Sequence, residues 1–403
     1  MSKRIYLDYA SMTPIDRRVL REMGRFSAPE FANPSSLYKE GVNARKALEE
    51  SRKKVADFIR GHSDEIVFTS GGTEANGLAL EGVARMAHGS GIEKPHFIIS
   101  AIEHSSIIEC ANMMEKNGVE VTRLSVDSHG LISLDELKKA IKPNTVLVSI
   151  MTVNNEIGAT QPIREIAKVI RHAKSEKAKE VVSGLSAVGQ RQSGHDLLSH
   201  YPIFHTDAAQ AALYTDLNVE KLGVDLLTLD GSKVYGPRGI GALYAKRGTP
   251  IEPIIYGGGQ ERGMRSGTEN VPAIAGFAKA LELADIGRDK ESKRIEELKS
   301  AFIQGLKKIR EDISINGSLA ESIPHILNVS IPGIDNEFFL FQLDAKGIAV
   351  STKSSCLRDE DESYVLKAIV ADNKTSIRFS FGRFTKKSDI RQTLKAIQSL
   401  INR

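Results

Sequence analysis

The sequence predicts an α/β protein, with a mainly parallel sheet covered by helices and a smaller α+β domain at the C-terminal end. Three observations carry this. Short β-branched runs alternate with helical patterns from about residue 15 to 245. Those runs are continuously apolar rather than alternating, as in strands buried on both faces. Beyond them the pattern changes to amphipathic helical stripes with isolated strand runs between.

Taken in order, the strand runs are residues 65–69, 96–100, 145–150, 202–206 and 225–229, each bounded by polar or Gly residues. In the last third, Ile295, Leu298, Phe302, Leu306 and Ile309 share one helical stripe, and Ile390, Leu394, Ile397 and Ile401 another. Strand runs at 326–331 and 375–381 lie between them. Residues 174–200 are rich in Ser, Gly, Lys and Gln without a sustained period, and are expected to form a polar surface insertion; a partner-docking excursion is the alternative. The expected division is a large domain at 15–256 carrying that insertion, and a small domain of 1–14 and 257–403. No internal repeat occurs.

Composition sets limits. At ~150 residues per domain, 403 residues allow two or three domains. Hydrophobic residues at 41% and charged residues at 26% exclude a disordered chain. The net charge of +4 is too small at this length to argue for nucleic acid. Two cysteines, Cys110 and Cys356, supply neither a disulfide framework nor a Cys-rich metal site and suit a reducing compartment. No run approaches the ~18 apolar residues of a membrane span. Asp8 arrives before a signal-peptide core could form, so a soluble, cytoplasmic protein is expected.

Polar clusters follow the strand runs: Ser70-Gly71-Gly72-Thr73-Glu74, Glu103-His104, Asn154-Asn155-Glu156, Asp207-Ala208-Ala209-Gln210 and Asp230-Gly231-Ser232-Lys233. In open α/β sheets ligands sit beyond the carboxyl ends of the strands, so these five should converge on one crevice. Ser70-Gly71-Gly72-Thr73 opens a helical pattern and offers backbone N–H groups and a hydroxyl to a phosphate. It lacks the Lys of a Walker loop and the spacing of a dinucleotide fingerprint. Lys233 can supply a Schiff-base amine, and Asp207 a carboxylate for a protonated ring nitrogen. Phosphate, amine and carboxylate together describe pyridoxal 5'-phosphate. Taken singly, Lys233 would be a solvated lysine and Asp207 a cap.

At this point the chain resembles the cysteine desulfurases of the nitrogen-fixation and iron–sulfur-cluster-assembly group, fold-type I enzymes of the class V aminotransferase family. The stretches that carry the resemblance include Tyr6-Leu7-Asp8-Tyr9-Ala10, Asn33-Pro34-Ser35-Ser36, Thr69 to Asn76, Glu103-His104 and Asn154-Asn155-Glu156. Further matches are Asp207-Ala208-Ala209-Gln210, Lys233-Val234-Tyr235-Gly236-Pro237, residues 257–263, Arg265-Ser266-Gly267-Thr268, Ser354-Ser355-Cys356 and residues 377–383.

The resemblance implies a seven-stranded sheet in the large domain and a cysteine loop in the small one. It implies a transferase that converts L-cysteine to L-alanine and leaves the sulfur as a persulfide on Cys356. The sulfur would supply iron–sulfur clusters or thiolated tRNA and cofactors. By the same resemblance Lys233 binds the cofactor covalently, Asp207 pairs with the ring nitrogen, Gln210 and Asn155 address the ring oxygen, and His104 stacks on the ring as acid–base. Gly72, Thr73 and Ser232 would hold the phosphate. Thr268 would reach a neighbouring subunit's phosphate, which implies a homodimer. Arg378 and Asn33 would hold the substrate carboxylate. Implied partners are L-cysteine and sulfur-acceptor proteins, with no nucleic acid, membrane or metal.

The chain departs from the family pattern in three places. Asp230-Gly231-Ser232-Lys233 stands where Ser-x-His-Lys is usual, so a carboxylate at the phosphate corner would be repulsive unless it points away. Tyr38 replaces a common His, and Lys353-Ser354-Ser355-Cys356 replaces Gly-Ser-Ala-Cys. The acidic residues 359–362 read as a solvated run, although acid near a thiol raises its pKa. Other class V chemistry (selenocysteine lyase or aminotransferase) and a non-catalytic sulfur-transfer scaffold are the alternative readings.

Overall fold

A computed structural model describes residues 4–188, 200–352 and 362–402, with the side chains of 178–188 left aside. The strands are β1 Ile5–Tyr6, β2 Ile66–Thr69, β3 His96–Ser100, β4 Glu120–Leu124, β5 Thr145–Ser149, β6 Ile203–Asp207, β7 Leu226–Asp230, β8 Gly241–Ala245, β9 Ser314–Asn316, β10 Ile326–Ser330, β11 Ile348–Ala349 and β12 Ser376–Ser380. The helices are α1 Arg17–Ser27, α2 Lys39–Ile59, α3 Gly72–Gly89, α4 Ser105–Lys116, α5 Leu134–Ala140, α6 Ile163–Val188, α7 Val219–Leu222, α8 Val271–Ile309, α9 Asn336–Ala345, α10 Tyr364–Ala368 and α11 Lys387–Ile401.

Seven strands form one sheet in the order β2-β8-β7-β6-β5-β3-β4. The pairings from β4 to β7 are parallel; β8 runs antiparallel to both β2 and β7. Strands β2, β3, β5 and β6 are buried throughout, which is why they read as unbroken apolar runs. Two strands of this sheet lay outside the sequence expectation, as did the short β1, β9 and β11 elsewhere. Edge strand β4 is largely solvent-facing, and β8, although buried, reads Gly-Ala-Leu-Tyr-Ala with no β-branched residue.

A three-stranded antiparallel sheet, β12-β10-β9, belongs to the smaller C-terminal unit, and β1 pairs in parallel with β11. One continuous apolar core joins residues of both sheets, with the long helix α8 contributing Phe277, Leu281, Ile295, Leu298 and Phe302. Around Phe302, Phe379 and Phe381 pack edge-on at 4.8 and 5.7 Å. The interaction is local, yet it ties α8 to β12 and so to the residue at 378.

The segment expected to lack periodicity begins as helix: α6 continues through 174–188. Its Lys, Glu, Ala and Val residues include strong helix formers, and Lys174 anchors the extension on Asp225 at 2.6 Å. Residues 189–199 lie outside the described chain. Among the described residues, no helix is long and apolar enough to cross a membrane.

Candidate active site

The carboxyl ends of β2, β3, β5, β6 and β7 open onto one cavity of about 280 Å³. Gly72, Thr73, His104, Asn155, Asp207, Gln210, Ser232, Lys233 and Arg378 all line it. Asn33 and Thr268 do not: both are exposed, and the Asn33 Oδ1 accepts the Ser35 N–H at 2.8 Å. Cys356 lies outside the described residues. The chain leading to it is anchored at this cavity nonetheless, because Ser351 exchanges backbone hydrogen bonds with Arg378 at 3.2 and 2.6 Å. On the far side Ser363 donates to Glu156 Oε2 at 2.6 Å.

Lys233 ends the turn that follows β7. Its Nζ donates to the carbonyls of Ser11 at 2.5 Å and Ala10 at 3.2 Å, which brings the N-terminal segment across the site. Gln210 reaches the same carbonyl of Ala10 at 2.8 Å. The Gln210 Oε1 faces His325 Nε2 at 3.3 Å, and His325 stacks on Tyr214 with centroids 4.6 Å apart. Burial holds His325 neutral, its pKa depressed to about 3.

Asp207 closes β6 and is buried. Its Oδ1 accepts the Ala209 N–H at 2.9 Å and its Oδ2 the Asn76 side chain at 2.8 Å. Asn76 was not singled out from the sequence as a site residue. The signal was present: it sits four positions after Gly72, on the same face of α3. Its second hydrogen goes to Ser106 Oγ at 2.9 Å, and Ser106 Oγ lies 2.8 Å from His104 Nδ1.

That chain of bonds has a direction. Asn76 donates both of its amide hydrogens, one of them to Ser106 Oγ, whose own hydrogen remains for an acceptor such as His104 Nδ1. The Ser106 backbone N–H points at the same nitrogen at 3.2 Å, with His104 as N-cap of α4. Nδ1 is therefore an acceptor, and the neutral ring carries its proton on Nε2. As an acid–base group, His104 in this arrangement offers a proton from Nε2, and accepting one there needs the opposite tautomer.

Behind His104, Glu103 is fully buried. Its Oε1 accepts from Ser100 Oγ at 2.5 Å and Met151 N at 2.9 Å, while Oε2 has no partner among the described residues. Burial raises its pKa to about 8, so at neutral pH it is largely a neutral acid. His205, two residues before Asp207, bonds Ser149 and Thr228 across three strands and is held neutral by burial, a packing role.

Arg378 on β12 is buried, donating to Asn155 O at 2.9 Å and to Asp8 Oδ1 at 2.8 Å. Its Nε has no partner among the described residues, a donor left over for an anionic ligand. At the opposite corner Asp230 does not point away. Its Oδ2 accepts the Gly72 N–H at 2.9 Å, and its Oδ1 accepts Ser232 N at 2.7 Å and Ser232 Oγ at 2.5 Å. Gly71, at φ 152°, turns the chain from β2 into α3.

Among the described residues no cluster of His, Cys, Asp or Glu could hold a metal ion. Cys110, on α4, packs against the apolar cluster that includes α3, and burial pushes its thiol up to about 12. It is a small apolar filler.

Comparison with known proteins agrees with this geometry. The family described as aminotransferase class-V matches residues 5–199 and 196–393. A protein named cysteine desulfurase IscS from Dictyoglomus turgidum is 41% identical over 407 residues, covering 100% of this chain and 96% of that one. A solved structure titled "NIFS-LIKE PROTEIN" superposes with a TM-score of 0.87 at 32% identity, covering 99% of each chain. Another, "SspA in complex with cysteine", gives 0.75 at 32% identity over 94% of this chain and 98% of that one.

Proposed function

This chain belongs to the aminotransferase class-V family and is a cysteine desulfurase; we propose that it converts L-cysteine to L-alanine with pyridoxal phosphate held at Lys233 and sulfur leaving on Cys356. The observation that carries this reading is the meeting of Lys233, Asp207, His104 and Arg378 in one cavity. These residues come from four separate parts of the chain.

The cavity's donor set suits the cofactor. Lys233 would hold it through its amine, Asp207 would face the ring nitrogen, and Gln210 and Asn155 would address the ring oxygen. Thr73, Ser232 and the first amides of α3 would hold the phosphate. When bound, pyridoxal phosphate supplies an electron-withdrawing ring that stabilises negative charge at the substrate Cα. Asp207 stays fixed toward that ring because both of its oxygens are already tied to donors.

The remaining work falls to this chain's side chains. Arg378 binds the substrate carboxylate and fixes its orientation. His104 presents Nε2–H to the substrate sulfur, a donor that favours the thiolate. The Lys233 amine moves the proton at Cα. The Cys356 thiolate attacks the substrate Sγ: an S–S bond forms, the C–S bond breaks, and its electron pair stays with carbon, which is protonated to alanine. The persulfide then passes from Cys356 to an acceptor protein serving cluster assembly or thiolation.

In this reading residues 15–256 bind the cofactor, residues 1–14 and 257–403 carry the cysteine loop, and the enzyme is a cytoplasmic homodimer. The exposed Thr268 then faces the second subunit, and exposed Asn33 approaches substrate only in the assembled enzyme. Incubation with L-cysteine and a thiol reductant tests the proposal. Alanine and sulfide should appear in equal amounts, with no pyruvate and no amino transfer to a keto acid. Lys233→Ala should lose the borohydride-fixable cofactor. Cys356→Ala should keep it and stop turnover; unchanged alanine formation would remove Cys356 from the mechanism.

A further inference from the structure

We propose that Asp230 sets the cofactor specificity of this site: its carboxylate weakens the hold on the phosphate end of pyridoxal phosphate and leaves the hold on the aldehyde and ring unchanged. The inference rests on the reading of Lys233 given above.

Asp230 ends β7, and three residues later Lys233 ends the following turn; both line the same cavity. The carboxylate sits over the start of α3, where a Cβ on Gly72 would come within 3.1 Å of Oδ2. All three donors described on it are neutral: the amides of Gly72 and Ser232, and the Ser232 hydroxyl. These are donors an incoming anion would need. The nearby carboxylate in the first turn of α3, Glu74, is matched by Arg265 at 2.8 Å, so it adds little net charge. The Lys233 ammonium is turned to the carbonyls of Ala10 and Ser11.

A phosphate dianion arriving here has two options. It displaces Asp230 and breaks three hydrogen bonds, or it binds beside a like charge at close range. Each weakens binding relative to a neutral residue at 230. Pyridoxal, which has the same aldehyde and ring without the phosphate, encounters neither cost. The carboxylate therefore narrows the margin by which the phosphorylated vitamer is preferred.

The test uses the full chain and Asp230→Asn, which removes the charge and keeps its one amide oxygen as acceptor for the Ser232 donors, giving up the acceptor at Gly72. Each protein is titrated with pyridoxal phosphate and with pyridoxal by absorbance. Borohydride-fixed adducts are located by mass spectrometry. The variant should bind pyridoxal phosphate about tenfold more tightly or better, with pyridoxal affinity changed by less than about threefold. Asp230→Ser, a neutral cap for the same amide, should behave alike and serves if the Asn variant folds poorly. An equal shift for both vitamers, or none for either, overturns the proposal while a fixed adduct at Lys233 keeps the reading of the site. If no protein forms an adduct at Lys233 with either aldehyde, that reading fails and Asp230 loses its role with it.

Discussion

Asn76 and Asp207, separated by 131 positions in the chain, are joined by a 2.8 Å hydrogen bond from Nδ2 to Oδ2. The same amide holds Ser106, and through it His104. One side chain on α3 thus orients a carboxylate at the end of β6 and an imidazole at the start of α4.

Asn76→Ala should break both links. A hydrogen bond to a charged group contributes about 1.5–3 kcal/mol, so cofactor affinity should fall roughly tenfold to a hundredfold. Spectroscopic titration measures it. An unchanged dissociation constant would mean Asp207 is held by Ala209 alone.

Arg378→Lys keeps the charge and loses the planar fork. Since Arg378 already serves Asp8 and Asn155, an ammonium cannot satisfy both and still reach a substrate carboxylate. KM for L-cysteine should rise by about tenfold or more, with kcat changed less. The single ammonium also loosens the contacts to Asp8 and Asn155, so thermal unfolding is followed in parallel. A normal KM would place the substrate carboxylate elsewhere.

The pH dependence of stability follows from Glu103. Its folded pKa, about 8, lies above the usual 4.5, so the native state binds the extra proton between those values. The associated stability is full below the unfolded pKa and is lost as pH rises through the folded one. Glu103→Gln should flatten that decline in Tm between about pH 5 and 8. Buried His205 and His325 act oppositely. Each is depressed from 6.5 to about 3, so their contribution is lost as pH falls from 6.5. A Glu103→Gln profile as steep as the parent's above pH 6 would contradict this.

Arg52 and Glu261 form a two-pronged buried pair, at 2.6 and 2.8 Å, and Glu261 also accepts the Phe68 N–H. The pair pins the glycine-rich loop before Thr268 to α2 and β2. Arg52→Ala should cost about 3–5 kcal/mol because Glu261 is left buried and unpaired. Chemical denaturation checks this, and a loss under 1 kcal/mol would assign the loop's hold to its other contacts.

The sequence determined the sheet and the chemistry. Strands buried on both faces leave unbroken β-branched runs, and the polar clusters that follow them had to meet at one sheet edge. Lys233, Asp207, Gln210 and His104 were legible for that reason. Edge strand β4 was not, because it faces solvent, nor was β8, whose buried run Gly-Ala-Leu-Tyr-Ala holds no β-branched residue. Residues 174–188 looked aperiodic through their small and polar composition, while their backbone propensity continues α6.

Tertiary structure alone decided what the side chains do with one another. Spacing places Asn76 on the Gly72 face of α3, but only packing brings its amide to Asp207 at the end of β6. The His104 tautomer follows from a three-member hydrogen-bond chain drawn from two helices. Whether Asp230 turned toward the start of α3 or away depended on the approach of β7 to Gly72. Residue identity supplied the charge there, and only packing placed it against the amide.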